Sequence, residues 1–362
     1  MTMVLHLGLL VSMLAAGSSA DPGPYIRIDR LTPRVALAYW PGLDRRCNLT
    51  VIQSQKGLVL IDTEAAPRLM APIKKKIEQT LGRSDWAYVI NTHAHDNHCS
   101  GNVLFPGAVI VGHENLAADM QWLIRRQAEP HKRGEIDRYN AILRDLRAAG
   151  PRYAGNPQYS RLIQSDLIFY ELFVQDLQEG YEVVPPALTF ADTHTLDLGD
   201  LTLELIFFGK GHSTSDILIY VPQERVLVTG AIAYGPYRVP EIGEASHLED
   251  VHRFIAVLDR LLADEVKIDH VIPGHSAPLT RAALPPIRDF YRRMLTEVRA
   301  ARRQGLTLEE TTKRLTLRAM FPAFRDPPAR TYGHDHQARN VRNLWRILAE
   351  NEPKPQPDPA KP

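Results

Sequence analysis

The chain has 362 residues, 44% hydrophobic and 23% charged, and 43 basic side chains against 42 acidic ones leave a formal charge of +1. That length supports a large core and one or two domains. The near-neutral balance implies no basic face for nucleic acid, so no nucleic-acid partner is expected, and 27 prolines imply many loops with sharp stops.

The first twenty residues form an apolar run followed by small residues and end at a plausible cleavage site after Ala20. The run is too short to span a bilayer and is expected to be a signal peptide, which places the mature chain in the periplasm or outside the cell. No later segment is apolar enough to cross a membrane, so no stable membrane anchor is expected. Two cysteines occur, Cys47 and Cys99. A disulfide and two buried thiols are both open, and Cys99, next to His98, is also open as an unusual metal ligand.

Residues 25–40 alternate loosely and predict one or two strands. Asn48–Ser54 and residues 58–62 predict two more, joined by a Gln55-Lys56-Gly57 turn. Pro67–Leu81 has helical spacing, with Leu69, Ile73, Ile77 and Leu81 on one face and Gly82 as the stop. Trp86–Ile90 predicts a strand that runs into Thr92-His93-Ala94-His95-Asp96-Asn97-His98. In extended chain, residues i and i+2 point the same way, so His93 and His95 share a side. A turn into helix brings His98 back beside them, and neutral imidazoles meeting at one point suit zinc.

Residues 109–112 predict another strand. A section from about 114 to 180 reads as helix, broken at Pro130, Gly150-Pro151 and Asn156-Pro157, and is expected to be an insertion, either a lid or an elaboration. Strands resume at Leu188–Phe190, 193–198 and 201–208, and the loop Gly209-Lys210-Gly211-His212-Ser213 follows. A hairpin over 217–229 leads to Thr229-Gly230-Ala231. Residues 248–262 predict an amphipathic helix, and a short strand leads to Pro273-Gly274-His275. From Pro286 to about Ala349 the chain reads as helix, and its last residues, from Pro353, as a disordered tail.

Four pieces line up at strand ends: HxHxxH, Gly-His-Ser, Thr-Gly and Pro-Gly-His. Their order resembles the metallo-β-lactamase superfamily of zinc hydrolases. The resemblance implies an α/β fold, a four-layer αββα sandwich, here with a helical insertion and a helical C-terminal extension. The expected organisation is a signal peptide at 1–20, the fold domain at 21–285 with its insertion at about 114–180, the extension at 286–350, and the tail at 351–362. The resemblance also implies Zn2+ held by His93, His95 and His212, with His98 and His275 on a second metal. Hydroxide generated on the first metal would attack an ester, lactone, lactam or amide carbonyl of a small-molecule substrate, with lactam hydrolysis among the possibilities. Oligomeric state is not implied.

Two positions depart from the family pattern. HxHxDH is here completed by Asn97, with the aspartate one place early at Asp96, and the bridging acidic or cysteine ligand is replaced by Ala231. Three readings stay open: a one-metal hydrolase with Asp96 as the candidate base, a two-metal enzyme rebuilt with Asp96 or Cys99, and a catalytically degenerate metal-binding or scaffold member of the fold. Asp62 reads either as a turn residue or as the group orienting a histidine. Asp216 reads as structural, His113-Glu114 as a cap-region pair, His247 and His252 as surface residues, and His334-Asp335-His336 as a solvated helix start.

Overall fold

The computed structural model describes residues 22–42, 47–234, 238–322, 324 and 335–352. The expected signal peptide, His334 and the expected tail from 353 lie outside the described residues.

Two sheets form the centre. The first runs in the order β1 (Arg27–Arg30), β2 (Val35–Tyr39), β3 (Asn48–Ser54), β4 (Gly57–Ile61), β5 (Trp86–Ile90), β6 (Val109–His113), β7 (Leu188–Phe190). Pairing is antiparallel from β1 to β4 and parallel from β4 to β7. A parallel neighbour needs a crossover, and helix α1 (Pro67–Leu81) supplies the one between β4 and β5. Its Leu69, Ile73 and Ile77 are buried, and it stops at Gly82, where a φ of 66° lets the backbone N–H return to the Glu78 carbonyl. The second sheet contains β8 (Thr193–Asp197), β9 (Thr202–Phe207), β10 (Ile217–Val221), β11 (Val226–Gly230) and β12 (His270–Pro273), in the spatial order β12-β11-β10-β9-β8.

All five residues of β4, Gly-Leu-Val-Leu-Ile, are buried, as expected of a strand covered on both faces. On the inner face Val59 and Ile61 join Ile52 and Ile90 against Leu205, Ile217 and Val228 of the second sheet. On the outer face Leu60 and Val51 meet α1 and a later helix that covers this side. The second sheet repeats the scheme, with Ile206, Leu218, Leu227 and Val271 facing helices outside it. The result is an αββα sandwich with three apolar interfaces.

Helix α2 is the short turn Asp96–Cys99 after β5, and between β6 and β7 lie α3 (Leu116–Asp119), α4 (Gln121–Arg126), α5 (His131–Ala149) and α6 (Pro157–Glu179). The breaks fall at the prolines named above, and Asn156 caps α6 by accepting the Tyr159 N–H at 3.2 Å. Helix α6 lays Ile168, Phe169, Phe173 and Leu177 on the outer face of the first sheet, so it is part of the layer and not an outlying appendage. Helices α7 (Leu248–Leu261), α8 (Leu284–Arg303), α9 (Leu308–Arg314), α10 (Leu317–Met320) and α11 (His336–Asn351) follow, and α7, α8 and α11 cover the second sheet.

Two smaller expectations change. His113 ends β6 and does not open a helix; its Nε2 lies 2.9 Å from the Ala191 carbonyl and its ring stacks on Phe207 at 3.8 Å. His336 is buried, not solvated. Asp335 caps α11 by accepting the Ala338 N–H, and the face this turns inward carries Asn340 and Asn343 as well as Val341 and Leu344. Its polar residues bond a loop at 240–242, described below. Among the described residues, no helix is long and apolar enough to cross a membrane.

Candidate metal centre

The histidines gather because each follows the end of a strand: His93 and His95 after β5, His212 after β9, His275 after β12. Their close approach depends on glycine at position 274. A Cβ there would stand 3.0 Å from His98 Cε1 and 3.0 Å from the Gly230 carbonyl oxygen, so any larger residue would press on His98 and on the end of β11.

Two sets of nitrogen atoms result. In the first, His95 Nδ1 lies 3.2 Å from His93 Nε2 and 2.9 Å from His212 Nε2. Zinc bonds of roughly 2.0–2.1 Å in a tetrahedron put neighbouring ligand atoms about 3.3 Å apart. The three imidazoles therefore fit one such ion, and they form a group able to hold a metal. Burial, then the neighbouring His98 and His95 rings, push His93 well below the ordinary imidazole range; burial, then His212, push His95 down to about 3. Neutral rings are the form that ligates. In the second set, His98 Nε2 and His275 Nε2 are 3.3 Å apart, and the Asn97 amide nitrogen lies 3.0 and 3.1 Å from them. Turning that amide over presents its carbonyl oxygen at the same point. Ala231, at the end of β11, brings only a methyl group.

Three of the rings are held from behind. Asp62, at a φ of 64°, accepts from the Thr92 N–H at 2.7 Å and the Thr92 hydroxyl at 2.8 Å, and its Oδ2 lies 2.7 Å from His98 Nδ1. Of the two readings of Asp62, it therefore has the geometry of the orienting one. Thr92 Oγ1 is 3.0 Å from His93 Nδ1. Asp216 accepts the His212 N–H at 2.6 Å and the Ser213 hydroxyl at 2.6 Å, which fixes the loop.

Glu241 went unseen in the sequence. Its Oε1 is 3.2 Å from His212 Nδ1 and also pairs with Arg238, while its Oε2 lies 2.5 Å from Arg339 of α11. Burial works to raise this carboxyl, but His212, Arg238 and Arg339 outweigh it and hold the group well below the ordinary glutamate range. The loop bearing Glu241 is clamped by α11: Asn340 accepts the Ile242 N–H and donates to the Pro240 carbonyl, both at 2.8 Å, and Asn343 donates to the Ile242 carbonyl at 2.7 Å. The one usable signal was an acid in an otherwise apolar stretch, Val239-Pro240-Glu241-Ile242.

Asp96 does not turn to the histidines. It accepts the Asn97 N–H at 2.9 Å through Oδ1 and forms an ion pair with Arg126 of α4 through Oδ2. Cys99 donates its thiol to the His95 carbonyl at 3.1 Å, and Cys47 lies against His98 Nδ1 at 3.4 Å. Both cysteines are free and buried, and burial pushes both thiols well up. A thiol reagent is therefore expected to titrate neither of the two in the folded protein and both after denaturation; a missing thiol in the denatured sample would reveal a disulfide.

Comparison with known proteins fits this geometry. The model of the metallo-beta-lactamase superfamily matches residues 42–275. That range is more than half the chain and holds the five histidines of the centre, His93, His95, His98, His212 and His275. The chain belongs to the metallo-beta-lactamase superfamily. Members of this superfamily are mostly hydrolases. A metallo-beta-lactamase type 2 from Bacteroides fragilis is 29% identical over 100 residues, covering 28% of this chain and 39% of that relative. The sec-alkylsulfatase Pisa1 from Pseudomonas sp. superposes with a TM-score of 0.60 at 18% identity, over 92% of this chain and 52% of that one. A metallo-beta-lactamase from Pontibacter korlensis superposes with a TM-score of 0.49 at 17% identity, over 74% of this chain and 99% of that one. The chain thus spans well under two-thirds of the first relative and about half of the sulfatase. At 18% identity the superposition on the sulfatase speaks for the fold alone.

Proposed function

We propose that the chain is a zinc-dependent hydrolase, periplasmic or secreted, that cleaves an ester, lactone, lactam or amide carbonyl of a small molecule. The observation that carries this reading is the convergence of His93 Nε2, His95 Nδ1 and His212 Nε2 on one point, with His93 and His95 kept neutral by burial. What zinc supplies on such a set is Lewis acidity and a water acidified to a pKa of about 7. The chain's own residues do the positioning. Thr92 and Glu241 hold the far nitrogens of His93 and His212, which fixes the nitrogen each ring turns inward. Glu241 also stands as the nearby negative charge that a three-imidazole set lacks. Asp96 enters this reading as the partner of Arg126, which occupies its carboxylate, and not as the base.

The reading is of one metal held tightly. His98, His275 and Asn97 offer neutral donors only, a weak set for a dication. Metal analysis of the dialysed protein is expected to find about one zinc per chain. Asn97→Asp restores an anion within 3.0–3.1 Å of both second-set nitrogens and is expected to raise the count toward two; an unchanged count would count against the one-metal reading. A chromogenic lactam, a lactone and a phosphodiester, screened alongside, test the chemistry. Zinc binding without turnover on any of them would favour the second reading, a catalytically degenerate metal-binding member of the fold, which the amide at 97 and the methyl at 231 also favour.

A further inference from the structure

A cavity of about 700 Å³ lies against α4 and α5, with Asp96 in its wall. Its size suits a small organic ligand. Two of its wall residues connect it to the segment that carries His93 and His95. Asp96 directly follows His95. Trp122 donates its indole N–H to the carbonyl of Ala94, the residue between His93 and His95, at 3.0 Å, and meets the His95 ring edge-on at 6.2 Å. A molecule resting on Trp122 therefore lies one side chain away from the first set of imidazoles.

The wall charges are unevenly committed. The buried guanidinium of Arg126 takes up both nearby carboxylates, Asp96 on one side and Glu135 at 2.8 Å on the other. Arg125 also lines the cavity, and its guanidinium has no ion-pair partner among the described residues. Arg138 lines it too, with its side chain 66% exposed and the already engaged Glu135 no nearer than 3.8 Å. Two cations thus face a space whose acids are spent, beside the aromatic faces of Trp122 and Tyr139. Guanidinium forks suit an anionic oxygen group, and aromatic walls suit a flat or apolar body.

We propose that this cavity binds the body of the substrate, and that the substrate is an organic monoanion with an apolar or aromatic body, its charge met by Arg125 and Arg138. The word substrate rests on the hydrolase reading; the binding does not. The test is calorimetric titration of the full-length, zinc-loaded protein with 2-naphthoate and with the neutral 2-naphthalenemethanol, on wild type and on the double variant Arg125→Ala/Arg138→Ala. Both arginines are exposed, so the variant is expected to melt with the wild type. The naphthoate is expected to bind at least about ten-fold tighter than the alcohol, and the double variant to lose about ten-fold or more on the naphthoate and less than about two-fold on the alcohol. Coordination of the carboxylate to zinc alone would leave the variant's affinity unchanged and overturn the proposal, as would equal binding of the two compounds or binding of neither. Absence of turnover on every ester tried would sink the hydrolase reading while leaving this result in place.

Discussion

Changing His95 to alanine is expected to abolish stoichiometric zinc binding, and any hydrolysis with it. His95 Nδ1 is the shared neighbour of the other two nitrogens, 3.2 Å from His93 Nε2 and 2.9 Å from His212 Nε2. Without it two imidazoles remain, fewer than the three protein ligands of a catalytic zinc site. Metal analysis after dialysis should fall from about one zinc per chain to background. The fold should persist, because His95 sits at the mouth of the strand and not in the apolar layers between the sheets. Circular dichroism checks that, and a folded variant that still holds zinc, or still hydrolyses substrate, would refute the assignment of the site.

Glu241→Gln is expected to weaken zinc binding by roughly 10- to 100-fold, the usual cost of losing a group that orients a ligating histidine. Glutamine retains an acceptor for the His212 Nδ1–H, so the histidine keeps its tautomer but loses the charge behind it. Arg238 and Arg339 then face an amide. Breaking a buried ion pair costs about 3–5 kcal/mol, so the melting temperature should drop as well. Competition with a chromophoric chelator separates the two effects, since affinity is read on protein that is folded at the assay temperature. Arg339→Lys, which keeps a cation near Glu241, is expected to lose less than Arg339→Met. Wild-type zinc affinity in Glu241→Gln would mean that the carboxylate only ties the loop down.

The sequence carried most of the fold in its periodicities and most of the centre in its motifs. Leu69, Ile73 and Ile77 marked the buried face of α1, and the prolines at 130, 151 and 157 marked the breaks in the helical section. The five histidines were legible because each stands in a short pattern at a strand end. What could not be read were contacts made across long stretches of chain. Asp96 is adjacent to the ligands in sequence, yet its direction is decided by Arg126, 30 residues on. Glu241 lies 29 residues beyond His212 in no recognisable pattern, and Arg339, which holds it, comes 98 residues later still. His336 read as part of a solvated helix start, and only the packing of α11 shows that its face points inward.

The clamp between α11 and the loop at 240–242 imposes an order in time. A chain emerging from the ribosome exposes His93, His95 and His212 long before residues 339–343 exist. Until α11 docks, the carboxylate behind His212 has Arg238 but neither Arg339 nor the two asparagines that pin its loop. A fully braced site therefore requires α11, and a protein lacking residues 336–351 would keep His93, His95 and His212 yet is expected to load metal poorly.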